Sequence, residues 1–302
     1  AMTVRSFPRD ARKPIAFVPV YIGYEKVIEA GTYMGELGGG KKKKESIFRL
    51  VKSLKVLRSH FGQVHVNFGE PIKLVDYLDD HREGWRNEEL AINDTPDWFK
   101  HTVNDLGRDV VTGINAAAVA NPVNLISLAL LATPKHTMDL QQLRQQLQLY
   151  ITLLGEAPYS DTARLAETDA ETIIEYGLEH EFLIRVAHPL GDVVTTDPKT
   201  ALQMAYVRNN SLHLFILPGL ICSLFLNARS ISLDVLQSMI ALLYPFFRNE
   251  YFLHWREDQD LTAAVERIAT VLEDHGLVNR EGDCLHGAAI HTHASDMLAH
   301  LG

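Results

Sequence analysis

Proton-transfer chemistry needs a base and its orienting partner at short spacing, and an anionic substrate needs a grip of backbone N–H groups or cations. His291 and Asp296 satisfy a His-x4-Asp spacing, in which a carboxylate can orient an imidazole that takes a proton from a hydroxyl. No Gly-rich phosphate block accompanies them, and among 14 histidines and 38 Asp and Glu residues chance matches to a two-residue pattern are expected. Gly38-Gly39-Gly40 leads directly into Lys41, Lys42, Lys43 and Lys44, which offers free backbone and cations to an anion or an anionic membrane surface. The same run also reads as a solvated helix end, and the phosphate-loop ending Gly-Lys-Ser/Thr is absent because Lys44 meets Glu45. His254-Trp255-Arg256-Glu257-Asp258 lacks paired His or Cys ligands at metal spacing and reads as a solvated helix end. Arg208, Asn209, Asn210 and His213 fall within about two helical turns, either as a buried polar cluster or as a contact to a neighbouring core. Cys222 and Cys284 give neither a disulfide framework nor a metal site, which fits a reducing, cytosolic environment.

The elements that must position these groups divide sharply along the chain. Ile15 to Ile22 is rich in β-branched and aromatic residues, as suits a strand buried on both faces, and Pro19 limits it to an edge or a bulge. An amphipathic helix with a cationic side is predicted from Ile47 to Leu57. Gln63 to Phe68 then alternates at period two, with Val64, Val66 and Phe68 on one face and His65 and Asn67 on the other. Helices are predicted at Val103 to Val119, at Pro122 to Ala132 after Asn121, and at Met138 to Leu154 capped by Thr137. Gly155 to Asp169 is a polar connector and a possible sub-boundary. Beyond it come a helix at Glu171 to His180 and a hairpin-like pair over Phe182 to Thr196. A long apolar helix from Thr200 to Ala228 bends at Pro218, and helices follow at Ser232 to Phe247 and Leu261 to His275. A small terminal hairpin joins Gly276-Leu277-Val278-Asn279 to Cys284-Leu285-His286. Two to four short strands are few for a chain of 302 residues, and truncation of a larger sheet is the plain inference.

Composition is ordinary for a globular protein, with 46% hydrophobic and 22% charged residues. The net charge of -9 hides an asymmetry: residues 1 to 60 hold 13 Lys and Arg against 5 Asp and Glu, so the basic piece is N-terminal and the body acidic. A nucleic-acid binder is basic over a whole face or domain, so nucleic acid is not an expected partner. The N-terminus carries no signal pattern. The longest apolar run, Leu212 to Leu226, is broken by His213, Pro218 and Gly219 and falls short of the ~20 residues a membrane span needs.

Several motifs in order carry a resemblance. Phe17-Val18-Pro19-Val20-Tyr21-Ile22-Gly23-Tyr24-Glu25, Gly31-Thr32-Tyr33-Met34-Gly35-Glu36-Leu37, Lys43-Lys44-Glu45-Ser46 and Val66-Asn67-Phe68-Gly69-Glu70-Pro71 resemble the membrane-associated bacterial glycerol-3-phosphate 1-O-acyltransferases. The likeness continues through Tyr206-Val207-Arg208-Asn209-Asn210, His213, Pro218 and Leu243-Tyr244-Pro245, nearly the whole chain.

What the resemblance implies is an α/β fold: the remnant of an acyltransferase sheet over residues 1–95, followed by a mainly α-helical C-terminal region over 96–302. Of four family acyltransferase blocks, only the fourth stands here, at Val18, Pro19, Val20 and Tyr21, where it lines the bound substrates. The His-x4-Asp pair and the Gly-rich phosphate block would precede Ala1, so His291 and Asp296, which follow the Val-Pro-Val block, are a decoy and no catalytic residue is expected in the chain. The implied reaction moves a fatty acyl group from acyl-CoA or acyl-carrier protein to the 1-hydroxyl of sn-glycerol 3-phosphate, the first step of phospholipid synthesis, without a cofactor or metal. A hydrogen-bonded His and Asp pair would supply the base, worth roughly 10² to 10⁴ in rate. The implied location is the cytoplasmic face of the bacterial inner membrane, bound peripherally. The competing reading is a non-catalytic helical protein that docks on a membrane or partner.

Overall fold

The computed structural model describes residues 13–26, 62–87 and 96–287, together with Val4 and Phe7. The triglycine and Lys41 to Lys44, the helix expected from Ile47 to Leu57, and His291 with Asp296 lie outside the described residues.

The N-terminal strands form one interrupted ribbon. Ala16–Phe17 (β1) and Val20–Tyr24 (β2) run out, and Val64–Phe68 (β3) and Ile72–Lys73 (β4) return, with β1 antiparallel to β4 and β2 antiparallel to β3. The ladder breaks where Val18-Pro19 faces Gly69-Glu70-Pro71, because neither proline has an N–H to donate. Gly69 N closes the gap on the Pro19 carbonyl at 2.9 Å. Pro19 therefore sits at a break in pairing, as its chemistry predicts.

Helices dominate the remainder: Leu74–His81 (α1), Asp97–Ala116 (α2), Pro122–Leu131 (α3), Leu140–Glu156 (α4) and Ala170–Glu179 (α5). Pro198–Asn209 (α6), Ile216–Asn227 (α7), Leu233–Tyr251 (α8) and Asp258–Asp274 (α9) complete them. Short strands stitch them together: Val119–Ala120 (β5) pairs in parallel with Arg164–Leu165 (β7), and Thr137–Asp139 (β6) joins the hairpin of Ile184–Val186 (β8) and Val193–Thr195 (β9). Ser230–Ser232 (β10) adds to the terminal hairpin of Val278–Glu281 (β11) and Cys284–Gly287 (β12).

The start of α3 follows its sequence signal. Asn121 and Asn124 exchange side-chain bonds with each other's backbone N–H at 2.9 and 3.0 Å, and Pro122 occupies the first helical position, where no N–H is needed. Two expectations are corrected. Thr137 does not cap α4: it lies in β6, and Asp139 takes that role by accepting from Gln141 N and Gln142 N. The long helix from Thr200 to Ala228 is two helices, α6 and α7, separated by a turn at Leu212–Leu214. Pro218 falls in the first turn of α7, where the leading N–H groups have no intrahelical partner, so it opens a helix rather than bending one.

Two apolar clusters organise the packing. Val4, Phe7, Leu74, Leu78, Trp85 and Phe99 gather under β1 and β4, and the larger cluster runs from Ala117 through the helices to Leu285. Leu106 in the middle of α2 belongs to the first, while Ile114 near its end packs on the second, so α2 spans both.

Candidate functional site

The β2–β3 half of the ribbon has two unlike faces. Val20 stands opposite Phe68, Ile22 opposite Val66 and Tyr24 opposite Val64, which sets these six on one face. That face is open to solvent: Phe68 is 62% exposed and Val64 54%, and Ile22, Tyr24 and Val66 are exposed by about as much. Tyr21, Gly23, His65 and Asn67 occupy the other face, which lies on the helical region. The strand expected to be buried on both faces is thus buried on one, and the covered face is the polar one.

Directed bonds explain the inversion. Asn67 Nδ2 donates to the carbonyls of Ala117 at 3.0 Å and Thr162 at 2.7 Å, while its Oδ1 accepts from Phe68 N at 3.0 Å. Tyr21 Oη reaches the Val119 carbonyl at 3.5 Å, and burial pushes this phenol up to about 12. Ser160 and Thr162 hydroxyls both donate to the Ala116 carbonyl, fixing the connector that receives Asn67. At the break, Gly69 and Gly113 of α2 let backbones approach. A Cβ on Gly113 would stand 2.7 Å from Pro19 Cγ, and one on Gly69 would stand 2.8 Å from the Gly113 carbonyl oxygen.

The end of β2 is held by a carboxylate. Glu25 is 1% exposed. Its Oε2 accepts from Gln63 N at 2.7 Å and from the Tyr176 hydroxyl of α5, and its Oε1 lies 3.2 Å from His65 Nε2. Burial first, and then the Glu25 carboxylate, raise the Tyr176 phenol well above its ordinary value. Lys26 Nζ donates to the His180 carbonyl at 3.3 Å and sits 5.0 Å over the Phe182 ring.

The block expected to line substrates is therefore split by the pleat. Val18 and Val20 belong to the outer side, Pro19 is buried against Gly113, and Tyr21 points inward. Glu25, His65, Asn67 and Tyr176 were given no role by sequence reasoning. Their signal was weak: period-two alternation marks two faces without saying which is covered, and Tyr176 lies 151 residues from its partner.

A cleft of about 490 Å³ opens beside the ribbon's exit, lined by Glu70, Tyr159, Asp161, His254, Asp260 and Arg267 among others. His254 is not a solvated helix end: its ring meets Tyr159 edge-on and lies tilted against Trp255, its Nε2 donates to the Tyr159 carbonyl, and burial lowers its pKa. Of the expected polar cluster, His213 is buried, with Nε2 3.0 Å from the Asn115 carbonyl oxygen, whereas Asn209 and Asn210 are exposed and the Arg208 guanidinium donates to the neighbouring Asn209 side chain. Among the described residues no group of three or more His, Cys, Asp or Glu stands where it could hold a metal ion.

Residues 33–301 match the family described as the glycerol-3-phosphate acyltransferase C-terminal region. The chain is 44% identical over 283 residues to the glycerol-3-phosphate acyltransferase of Pseudomonas entomophila (strain L48), covering 94% of this chain and 34% of that protein. The same values hold for the glycerol-3-phosphate acyltransferase of Pseudomonas aeruginosa (strain UCBPP-PA14), and the one from Pseudomonas fluorescens (strain SBW25) is 43% identical over the same coverage. The chain spans about a third of the length of the curated relatives it matches.

Proposed function

Because this chain belongs to the glycerol-3-phosphate acyltransferase C-terminal-region family, we propose that it is the C-terminal portion of an enzyme that esterifies the 1-hydroxyl of glycerol 3-phosphate with an acyl group from acyl-CoA or acyl-carrier protein. Residues 1–95 are the closing strands of the acyltransferase domain, and 96–302 are the helical region that carries them. One observation bears most of this reading: the β2–β3 ribbon has an apolar outer face, centred on Ile22, Val66 and Phe68, with nothing of the described residues over it. Soluble proteins seldom leave contiguous apolar strand faces bare, and a layer of the acyltransferase domain is the occupant that fits. Val18 and Val20 then lie on the side turned toward that layer, where the proton-abstracting His and Asp would stand.

The experiment is an acyl-transfer assay comparing the 302-residue chain with one extended upstream as in the relatives. The extended protein is expected to acylate glycerol 3-phosphate and the shorter chain not to. Turnover by the shorter chain alone, or none by either, would refute the proposal.

The proposal extends to a peripheral seat on a membrane surface, where acyl products partition. Among the described residues no helix is long and apolar enough to cross a membrane. Supporting a surface contact, α8 turns Val235, Met239, Leu242, Leu243 and Phe246 outward at helical spacing, with Leu242 72% and Phe246 74% exposed and no charged residue from Val235 to Phe247. Lys41 to Lys44 belong to the same proposal as an anion or bilayer contact, tested by reversing their charge.

A further inference from the structure

Tyr21 and Gly23 on β2 and Glu25 just past its end follow one another on the inner side of the ribbon, all three buried. The Tyr21 ring lies over Gly23, where a Cβ would come within 2.8 Å of Tyr21 Cε1, so the strand keeps no side chain there. At the far end the chain also makes room for Glu25: Gly62 has φ +73°, and a Cβ on it would stand 2.6 Å from Glu25 Oε2. An apolar side chain at position 25 would suffice if the strand end needed only packing. A buried carboxylate makes a stricter demand, since each of its oxygens must find donors in fixed directions. Those donors come from two places: Gln63 just before β3 and His65 within it, and Tyr176 on α5 in the helical region.

We propose that Glu25 is a positioning residue, through which α5 of the helical region fixes the register and height of β2 and so the placement of the Val18–Tyr21 block against substrate. This rests on the acyltransferase reading of that block and deepens it, because it gives the helical region a part in the reaction rather than in folding alone. Lys26, bonded to the His180 carbonyl just past α5, anchors the same end of the strand, and Asn67 holds the middle of its partner. Loss of the Glu25 anchor frees the strand to tilt about Asn67, and a shift of the order of 1 Å at a substrate wall costs up to about 10²-fold in rate.

The test uses the full-length enzyme that carries this portion, with Glu25→Gln and Tyr176→Phe, and two readouts. The first is steady-state acyl transfer at varied glycerol 3-phosphate; the second is hydrogen exchange by mass spectrometry over peptides covering residues 18–24 and α9. Glu25→Gln is expected to lower kcat/KM for glycerol 3-phosphate by about tenfold to a hundredfold and to speed exchange in 18–24 by about tenfold, while α9 exchange and the fraction folded at assay temperature stay put. Tyr176→Phe, which leaves the carboxylate in place, should move both readouts the same way by less, and it carries the comparison if Glu25→Gln does not fold. Loss of activity in step with global unfolding, with α9 exchanging as fast as 18–24, would overturn the positioning role, as would wild-type kinetics and exchange in both variants. If the unaltered enzyme acylates no glycerol 3-phosphate, the acyltransferase reading fails by itself, and unchanged exchange in 18–24 still decides against Glu25.

Discussion

Replacing Asn67 tests the inverted ribbon most directly. Its amide bridges two carbonyls from separate segments, Ala117 after α2 and Thr162 in the connector, and Ala117 has no exposed surface. Asn67→Ala removes the local bond its Oδ1 accepts from Phe68 N and both bonds to the helical region; the latter two are each worth about 0.5–1.5 kcal/mol net, and the buried carbonyl left short of a donor adds about 1–3 kcal/mol. Allowing for partial relaxation, the ribbon should lose about 2–4 kcal/mol of its attachment to the helical region. At roughly 1.4 kcal/mol per factor of ten, native-state exchange of the β2 and β3 amides should then speed by about thirtyfold to several hundredfold. Asn67→Asp must be worse than alanine, because it replaces the donating amide with a carboxylate facing two carbonyl oxygens. Exchange within twofold of wild type in Asn67→Ala, or an aspartate milder than the alanine, would show that the polar face is not what fastens the ribbon.

Three further outcomes are expected. Two glycines of α2 should respond oppositely to alanine: Gly107, with open space around its would-be Cβ, should gain up to about 1 kcal/mol from helix propensity, whereas Gly113→Ala should lose stability because Pro19 Cγ lies 2.7 Å from the new carbon, and calorimetric melting of both variants checks the signs. His213 has its pKa lowered by burial to about 4, below the unfolded value of 6.5, so its contribution is complete above pH 6.5 and is lost as pH falls toward 4, by about 3 kcal/mol at most. The stability difference between wild type and His213→Gln should shrink by that amount across this window in denaturant titrations, and a pH-independent difference would refute the linkage. Leu242→Glu with Phe246→Glu should reduce cosedimentation with anionic vesicles at least about tenfold without lowering the melting temperature, since both side chains are exposed in the folded chain.

Much of the fold could be read from local chemistry. The Asn121-Pro122 start of α3, the alternation in Val64–Phe68, the break at Pro19 and the terminal hairpin depend on neighbours within a few residues, and each is found where those neighbours place it. The errors arose where distant partners decide. Thr137 and Asp139 are both acceptable caps, and only pairing of β6 with β9, more than fifty residues away, assigns Thr137 to a strand. Pro218 is compatible with a kink or with a first turn, and the turn at Leu212–Leu214 selects the latter. The burial of His254 escapes its local sequence for the same reason: the aromatic ring against it, Tyr159, lies 95 residues earlier in the connector.

The ribbon shows why faces are harder to assign than strands. Hydrophobic pattern alone turns Ile22, Val66 and Phe68 inward, since burial of apolar surface is the larger driving force in an isolated domain. Within this chain the opposite face is covered, and it is fastened by hydrogen bonds and a carboxylate rather than by apolar area. The two facts are compatible if the ribbon is a shared layer, fastened by its polar side to the helical region and leaving its apolar side for the larger association. A strand pair built in that way has little reason to hold its position by packing on one side only, so the directional anchors at Asn67 and Glu25 set where the ribbon lies on the helical region.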